Sequence, residues 1–199
     1  MLYICAILNK KTMGQYYQPI ILDEPIDGQH RIKAFMYSHD YGSGLKLMEH
    51  SWMKNDFVQT FEKELSRRGK FYKSRVVWAG DYADEEPEKE INLFSMCDNE
   101  QDKKIKPKKT NTKDYNFIVN HTKKLFVDKS KVPSVDGWTI HPLPLLTCEG
   151  NGLGGGDFRG DEKEIVGSWA RDVISIEKEN PRFVSGTMEY EELIFDLVE

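Results

Sequence analysis

Gly42, Ser43 and Gly44, with His39, Asp40 and Lys46 close by, form a group that could hold an anion in this 199-residue chain. The glycines fall between a strand-like run and a helix-like run, which places them at a helix N-terminus. Unpaired backbone N–H groups and the positive end of the peptide dipoles attract negative charge there, and glycine lets a ligand approach the backbone. The motif lacks the third glycine of a dinucleotide fingerprint and the Gly-Lys-Ser/Thr of a P-loop. A tight turn before a helix is the competing reading. A denser loop, with Gly150, Gly152, Gly154, Gly155 and Gly156 running into Asp157, needs unusual backbone angles or very close contact. Approach of a ligand would justify it, and so would packing against the turn at Gly42–Gly44.

Two further strings match: Trp78-Ala79-Gly80-Asp81 and Trp169-Ala170-Arg171-Asp172. Two carboxylates brought together by pseudo-symmetry would make a general acid/base pair or a divalent-cation site, and the indoles would stack a ring. Otherwise each Trp fills a core and each Asp caps a turn or pairs with a cation. The histidines, His30, His39, His50, His121 and His141, show no metal-ligand spacing, and no Ser or Cys nucleophile motif is present. No catalytic residue and no cofactor is named by these residues.

The elements that must position these groups repeat. The run from Tyr17 through Gly42-Ser43-Gly44 to Trp78 has its landmarks in the same order as the run from Tyr115 through Gly150 to Trp169. A duplicated unit is expected, with residues 1–12 an N-terminal extension before Met13, 13–102 a first half, 103–114 a basic linker and 115–199 a second half. The first half reads as a hairpin over residues 16–22 and 31–37, then a helix carrying Leu45, Met48 and Trp52. A second helical piece follows, capped at Asn55 or Asp56, with Phe57, Phe61 and Leu65 on one face and a strand near 75–78 after it. The second half repeats the hairpin at 115–120 and 125–128 and ends in a strand at 173–177. Its Pro142 and Pro144 argue against a regular helix where the first half has one. The tail from Glu189 alternates apolar Leu193, Phe195 and Leu197 like an edge strand. The fold class is α+β, a strand-rich pseudo-duplicated domain with a helical insertion in the first half.

Composition narrows the partners. With 39% hydrophobic and 31% charged residues the chain is expected to fold as a soluble domain, and a formal charge of -5 argues against a general grip on nucleic acid while leaving room for a local basic patch. Cys5, Cys97 and Cys148 are odd in number, widely separated and without a C-x-x-C motif, which fits a reducing cytoplasm. The apolar run over residues 2–8 is too short to span a membrane.

The blocks Met13-Gly14-Gln15-Tyr16-Tyr17, Gly44-Leu45-Lys46-Leu47-Met48-Glu49, Trp78-Ala79-Gly80-Asp81-Tyr82 and residues 151–157 resemble those of an uncharacterised family of bacterial and bacteriophage proteins. The resemblance runs from Met13 to about Glu177. It implies a prokaryotic or phage setting in the cytoplasm and adds no catalytic residue. The leading expectation is a binding protein whose two halves form a cleft for a small anionic, nucleotide-derived ligand, in a phage setting a sequestered defence signal. The site residues would be His39, Gly42, Gly44, Lys46, Trp78, Asp81, Gly152, Gly154, Gly155, Asp157, Trp169 and Asp172. One alternative is a metal-dependent phosphoester hydrolase using Asp81, Asp157, Asp172 and histidines; another is an inhibitor that binds a host protein through an exposed apolar or acidic surface.

Overall fold

A computed structural model describes residues 15–150, 157–160, 163–184 and 187–197, and the chain is an α+β protein built on one mixed sheet. Strand β1 (Tyr17–Leu22) is buried along its whole length, as expected of a strand flanked on both sides and covered on both faces. It pairs antiparallel with β2 (Ile32–Phe35). The turn below this hairpin closes through reciprocal bonds between Ile26 and Gln29, with Asp27 and Gly28 at φ of 51° and 77°. Positive φ at both central positions selects the Asp-Gly pair and matches the twist of the strands.

The chain then forms the single turn α1 (Leu47–His50) and the longer α2 (Asp56–Leu65). Asn55 starts α2 by accepting from the N–H groups of Phe57 and Val58. Phe57, Val58, Phe61 and Leu65 give it one apolar face, all four fully buried. It stops at Ser66, whose Oγ donates to the Lys63 carbonyl. Strand β3 (Ser74–Gly80) returns beside β1, and the short α3 (Leu93–Met96) follows.

In the second half β4 (Phe117–Asn120) and β5 (Leu125–Asp128) make a hairpin, α4 (Pro142–Thr147) leads into β6 (Cys148–Glu149), and β7 (Val173–Glu177) returns beside β4. The small hairpin of β8 (Phe183–Val184) and β9 (Thr187–Met188) precedes β10 (Glu191–Glu192), which adds to β5 in parallel. The order across the sheet is β10-β5-β4-β7-β3-β1-β2. One edge of β3 is shared: Ser74 and Arg75 face β7, while Trp78 and Ala79 face β6. Each half thus supplies a hairpin and a strand that returns beside the hairpin's first member, and the two triplets meet at β3 and β7. The Trp-Ala-x-Asp strings do not occupy matching places in this order. Trp78 lies inside β3 opposite Pro19, whereas Trp169 precedes β7 in a turn.

Alternation divides the buried side chains between two faces. Tyr17, Ile21, Val76, Trp78, Ile118 and Ile176 join α1, α2 and α4 in the main core. On the opposite face Ile20, Leu22, Val77 and Ala79 pack with Leu93 and Cys97, and Phe117, Val119 and Phe126 with Tyr190. The helix at 142–147 corrects the expectation drawn from its prolines. Pro142 and Pro144 sit in the first turn, where an N–H would lack an intrahelical partner, and the remaining donor, Leu143 N–H, bonds to His141 Nδ1. Residues 103–114 lie against α2: Thr60 Oγ1 donates to the Lys108 carbonyl and Thr112 Oγ1 to Glu62. Among the described residues no helix is long and apolar enough to cross a membrane.

Replacing Asn55 by Ala removes both cap bonds of α2 and is expected to cost about 1 kcal/mol in chemical denaturation. An unchanged denaturation midpoint would show that the cap does not hold the helix start.

Candidate functional site

Beside Gly44 the glycine turn is already filled by the protein, while Gly42 faces open space. Gly42 closes a 3-10 turn in the left-handed region at φ 68°, and a Cβ on Gly44 would lie 2.1 Å from the Glu49 carboxylate. Glu49 Oε2 accepts from Lys46 N–H at 3.0 Å, and Asp157 Oδ1 accepts from Met48 N–H at 3.1 Å. The donors at the start of α1 that would greet a ligand anion therefore carry two native carboxylates, a correction to the anion site expected there. His39 is exposed and meets Tyr37 edge to face. Lys46 is half-buried and its backbone pairs with Tyr16.

The tryptophans are core groups and do not offer a stacking face. Trp78 is fully buried and its Nε1–H donates to His50 Nε2 at 2.8 Å, which leaves His50 Nδ1–H to donate to the Gly44 carbonyl at 3.0 Å. Trp169 is 1% exposed. Asp81 accepts from Tyr16 N–H, and Asp172 accepts from Asn120 and meets Lys123 at 3.2 Å. These carboxylates serve separate turns. Arg171 is held between Glu86 and Glu149. Gly152, Gly154 and Gly155 lie outside the described residues. Among the described residues no group of three His, Cys, Asp or Glu side chains is placed to hold a metal ion.

A different set of residues does converge. Between α2, residues 110–116, the stretch after β5 and the stretch before α4 lies a polar cavity of about 710 Å³. Lys54, Lys113 and Lys129 line it with Gln59, Asn111, Asn116, Ser130 and Thr139. Its floor contains Glu62, 1% exposed, on the core side of α2 at four residues from Val58 and three from Leu65. Glu62 bonds to Lys129 Nζ and accepts from Thr112 Oγ1 at 2.6 Å; His141 Nε2 stands 3.1 Å away, off the line of a good hydrogen bond.

No family model, curated protein or solved structure matches the chain significantly.

The charge states of the cleft follow from its burial. Burial alone would raise the Glu62 pKa, but its neighbours, Lys129 foremost, outweigh it and hold the carboxylate down at about 2. Burial pushes His141 below its ordinary value despite Glu62, so the imidazole is neutral at pH 7 and Lys129 supplies the compensating charge. The cavity therefore presents Lys54 and Lys113 uncancelled, above a neutralised pair. A second cavity of about 340 Å³ is apolar, lined by Trp52, Pro133, Val135, Ile140 and an exposed Trp138 whose ring meets Trp52 edge to face at 5.5 Å. The sequence signal for the polar cleft is a carboxylate, Glu62, inside the apolar stripe of α2.

Lys129→Met leaves Glu62 buried without a cation and should cost about 3–5 kcal/mol, most of it recovered in Glu62→Leu/Lys129→Met. Equal loss in the single and double variants would count against the pairing. Burial pushes His50 and, together with Lys73, His121 down to about 4, while unfolded histidines titrate near 6.5. The native state therefore binds fewer protons in this window, and stability present above pH 6.5 is lost as pH falls toward 4, each histidine contributing at most about 1.4 kcal/mol per pH unit. Urea midpoints from pH 7.5 to 5 should drop, and less steeply in His50→Gln; a flat profile would refute the assignment.

Proposed function

We propose that the protein binds a small anionic molecule in the cleft between α2 and the second half, without turning it over. The observation that carries this reading is the set of three lysines facing a polar cavity of about 710 Å³ whose lining carboxylate, Glu62, is already neutralised. A volume of this order suits a nucleotide-sized ligand. Lys54 and Lys113 meet its phosphates as mobile cations, and the amides of Gln59, Asn111 and Asn116 with the hydroxyls of Ser130 and Thr139 supply directional bonds to sugar or ring. The segment from 110 to 116 bridges the halves, so the ligand ties them together. The proposed ligand class is the one expected from the sequence, and the residues proposed to hold it are others.

Thermal-shift titration with nucleotides, cyclic dinucleotides and adenosine-diphosphate-ribose derivatives, followed by mass spectrometry of the recovered ligand, tests the proposal. A bound ligand raises the melting temperature with the logarithm of its concentration and is recovered intact. Lys54→Gln and Lys113→Gln should each weaken binding about tenfold, the loss of one charge-assisted contact, and leave the unliganded melting temperature unchanged. No stabilisation by any of these anions would sink the reading, and a degraded ligand would replace it with a hydrolase.

A further inference from the structure

A second electropositive feature lies outside the cleft. Residues 63–73 and 106–113 hold nine of the chain's 28 lysines and arginines and one carboxylate, Glu64. The two segments are far apart in sequence and meet at that carboxylate. Glu64 Oε1 takes the Lys108 ammonium and Oε2 accepts from Lys70 N–H at 3.4 Å, so one buried acid fastens the turn after α2 to the segment that crosses the helix. Nearby, Glu177 faces Arg67 at 3.7 Å and Asp114 faces Lys178 at 3.5 Å. Arg68, Lys70 and Lys109 remain exposed, with no carboxylate partner among the described contacts.

Aromatic rings are set among these cations. Arg67 and Lys73 approach the half-buried Tyr72 ring at 5.8 and 5.5 Å, and Lys63 and Lys178 flank Tyr115 at 5.0 and 4.8 Å. Lys63 Nζ also donates to the Tyr115 hydroxyl at 3.1 Å and draws its pKa down. We propose that this surface binds single-stranded nucleic acid, with the lysines and arginines on phosphates and Tyr72 as a stacking platform for a base. Cations interleaved with ring faces match the alternation of phosphate and base along a strand. A double helix fits less well, because the surface is a turn and an extended segment with no element projecting to enter a groove. An acidic protein would use the cations and make no use of the Tyr72 ring beyond its contacts with Arg67 and Lys73. The net charge of -5 confines the strand to this face, since phosphates are repelled elsewhere.

Fluorescence anisotropy of the full chain with labelled 20-mer oligo-dT and oligo-U, from 50 to 200 mM salt, tests the proposal and separates DNA from RNA. Binding should weaken linearly in log salt with a slope of about −3, as for four or more phosphates at about 0.7 each. Arg68→Gln/Lys70→Gln/Lys109→Gln leaves the cleft untouched and should make the slope shallower by about 2 and the affinity at least about tenfold lower, at an unchanged melting temperature. Tyr72→Ala should weaken binding at an unchanged slope. Absence of salt-dependent binding, equal affinity for the matching duplex, or equal competition by polyglutamate with no effect of Tyr72→Ala would each overturn the assignment, the last in favour of an acidic protein.

Discussion

A carboxylate on the core side of a helix has to be neutralised, and much of this structure is arranged around doing so for Glu62. Four segments meet there: α2 carries the acid, residues 110–116 bring Thr112, the stretch after β5 brings Lys129, and the stretch before α4 brings His141. The same four segments wall the polar cavity. Glu62 therefore connects stability to site. An apolar residue at this position would pack as well or better, because a buried ion pair seldom repays its desolvation. What the ion pair adds is a tie from α2 to the loops that carry Thr112, Lys129 and His141, beside the contact that β7 already makes with the helix end through Ser66 and Ile176.

Glu64, two residues on, does the complementary task on the outer side of the helix. It gathers Lys108 and the turn after α2, and so sets a basic surface beside the cleft on a chain that is acidic as a whole. Two carboxylates of one helix thus organise positive charge on two sides of it. The helix can carry both because Asn55 satisfies its first donors and its apolar residues anchor it in the core.

The sheet was largely legible in the sequence. Short apolar runs mark β1, β3, β4 and β7, and the capping candidates Asn55 and Asp56 mark the start of α2. Local chemistry decides such features, so local reading finds them. The helix at Pro142 runs against the expectation because prolines that break a helix interior are tolerated in its first turn. The matched Trp-Ala-x-Asp strings misled more deeply, since similarity of four residues does not fix a place in a sheet; Trp78 is a strand residue and Trp169 a turn residue. The cleft needed long-range information. Nothing near Lys113 or Lys129 in the chain says that both come to one cavity with Glu62, although a carboxylate in the stripe of α2 requires some cation.

The sign of charge decides between the glycine turn, where an anion is expected from the sequence, and the cleft, where its binding is proposed. At the glycine turn the attraction comes from the dipole of a four-residue helix, worth about 1 kcal/mol at most. Against it stand Glu49 and Asp157, and a unit anion about 4 Å from either would be repelled by roughly 4 kcal/mol at an effective dielectric of 20. Burial raises the pKa of Asp157, with Glu49 adding to the rise, which is the same repulsion read from the proton's side. Repulsion wins there. In the cleft the terms reverse, because Lys129 has cancelled Glu62 and the remaining lysines attract. Glycine gave the first site access to the backbone, but access without the right field is only a turn, and the protein has filled that turn with its own carboxylates.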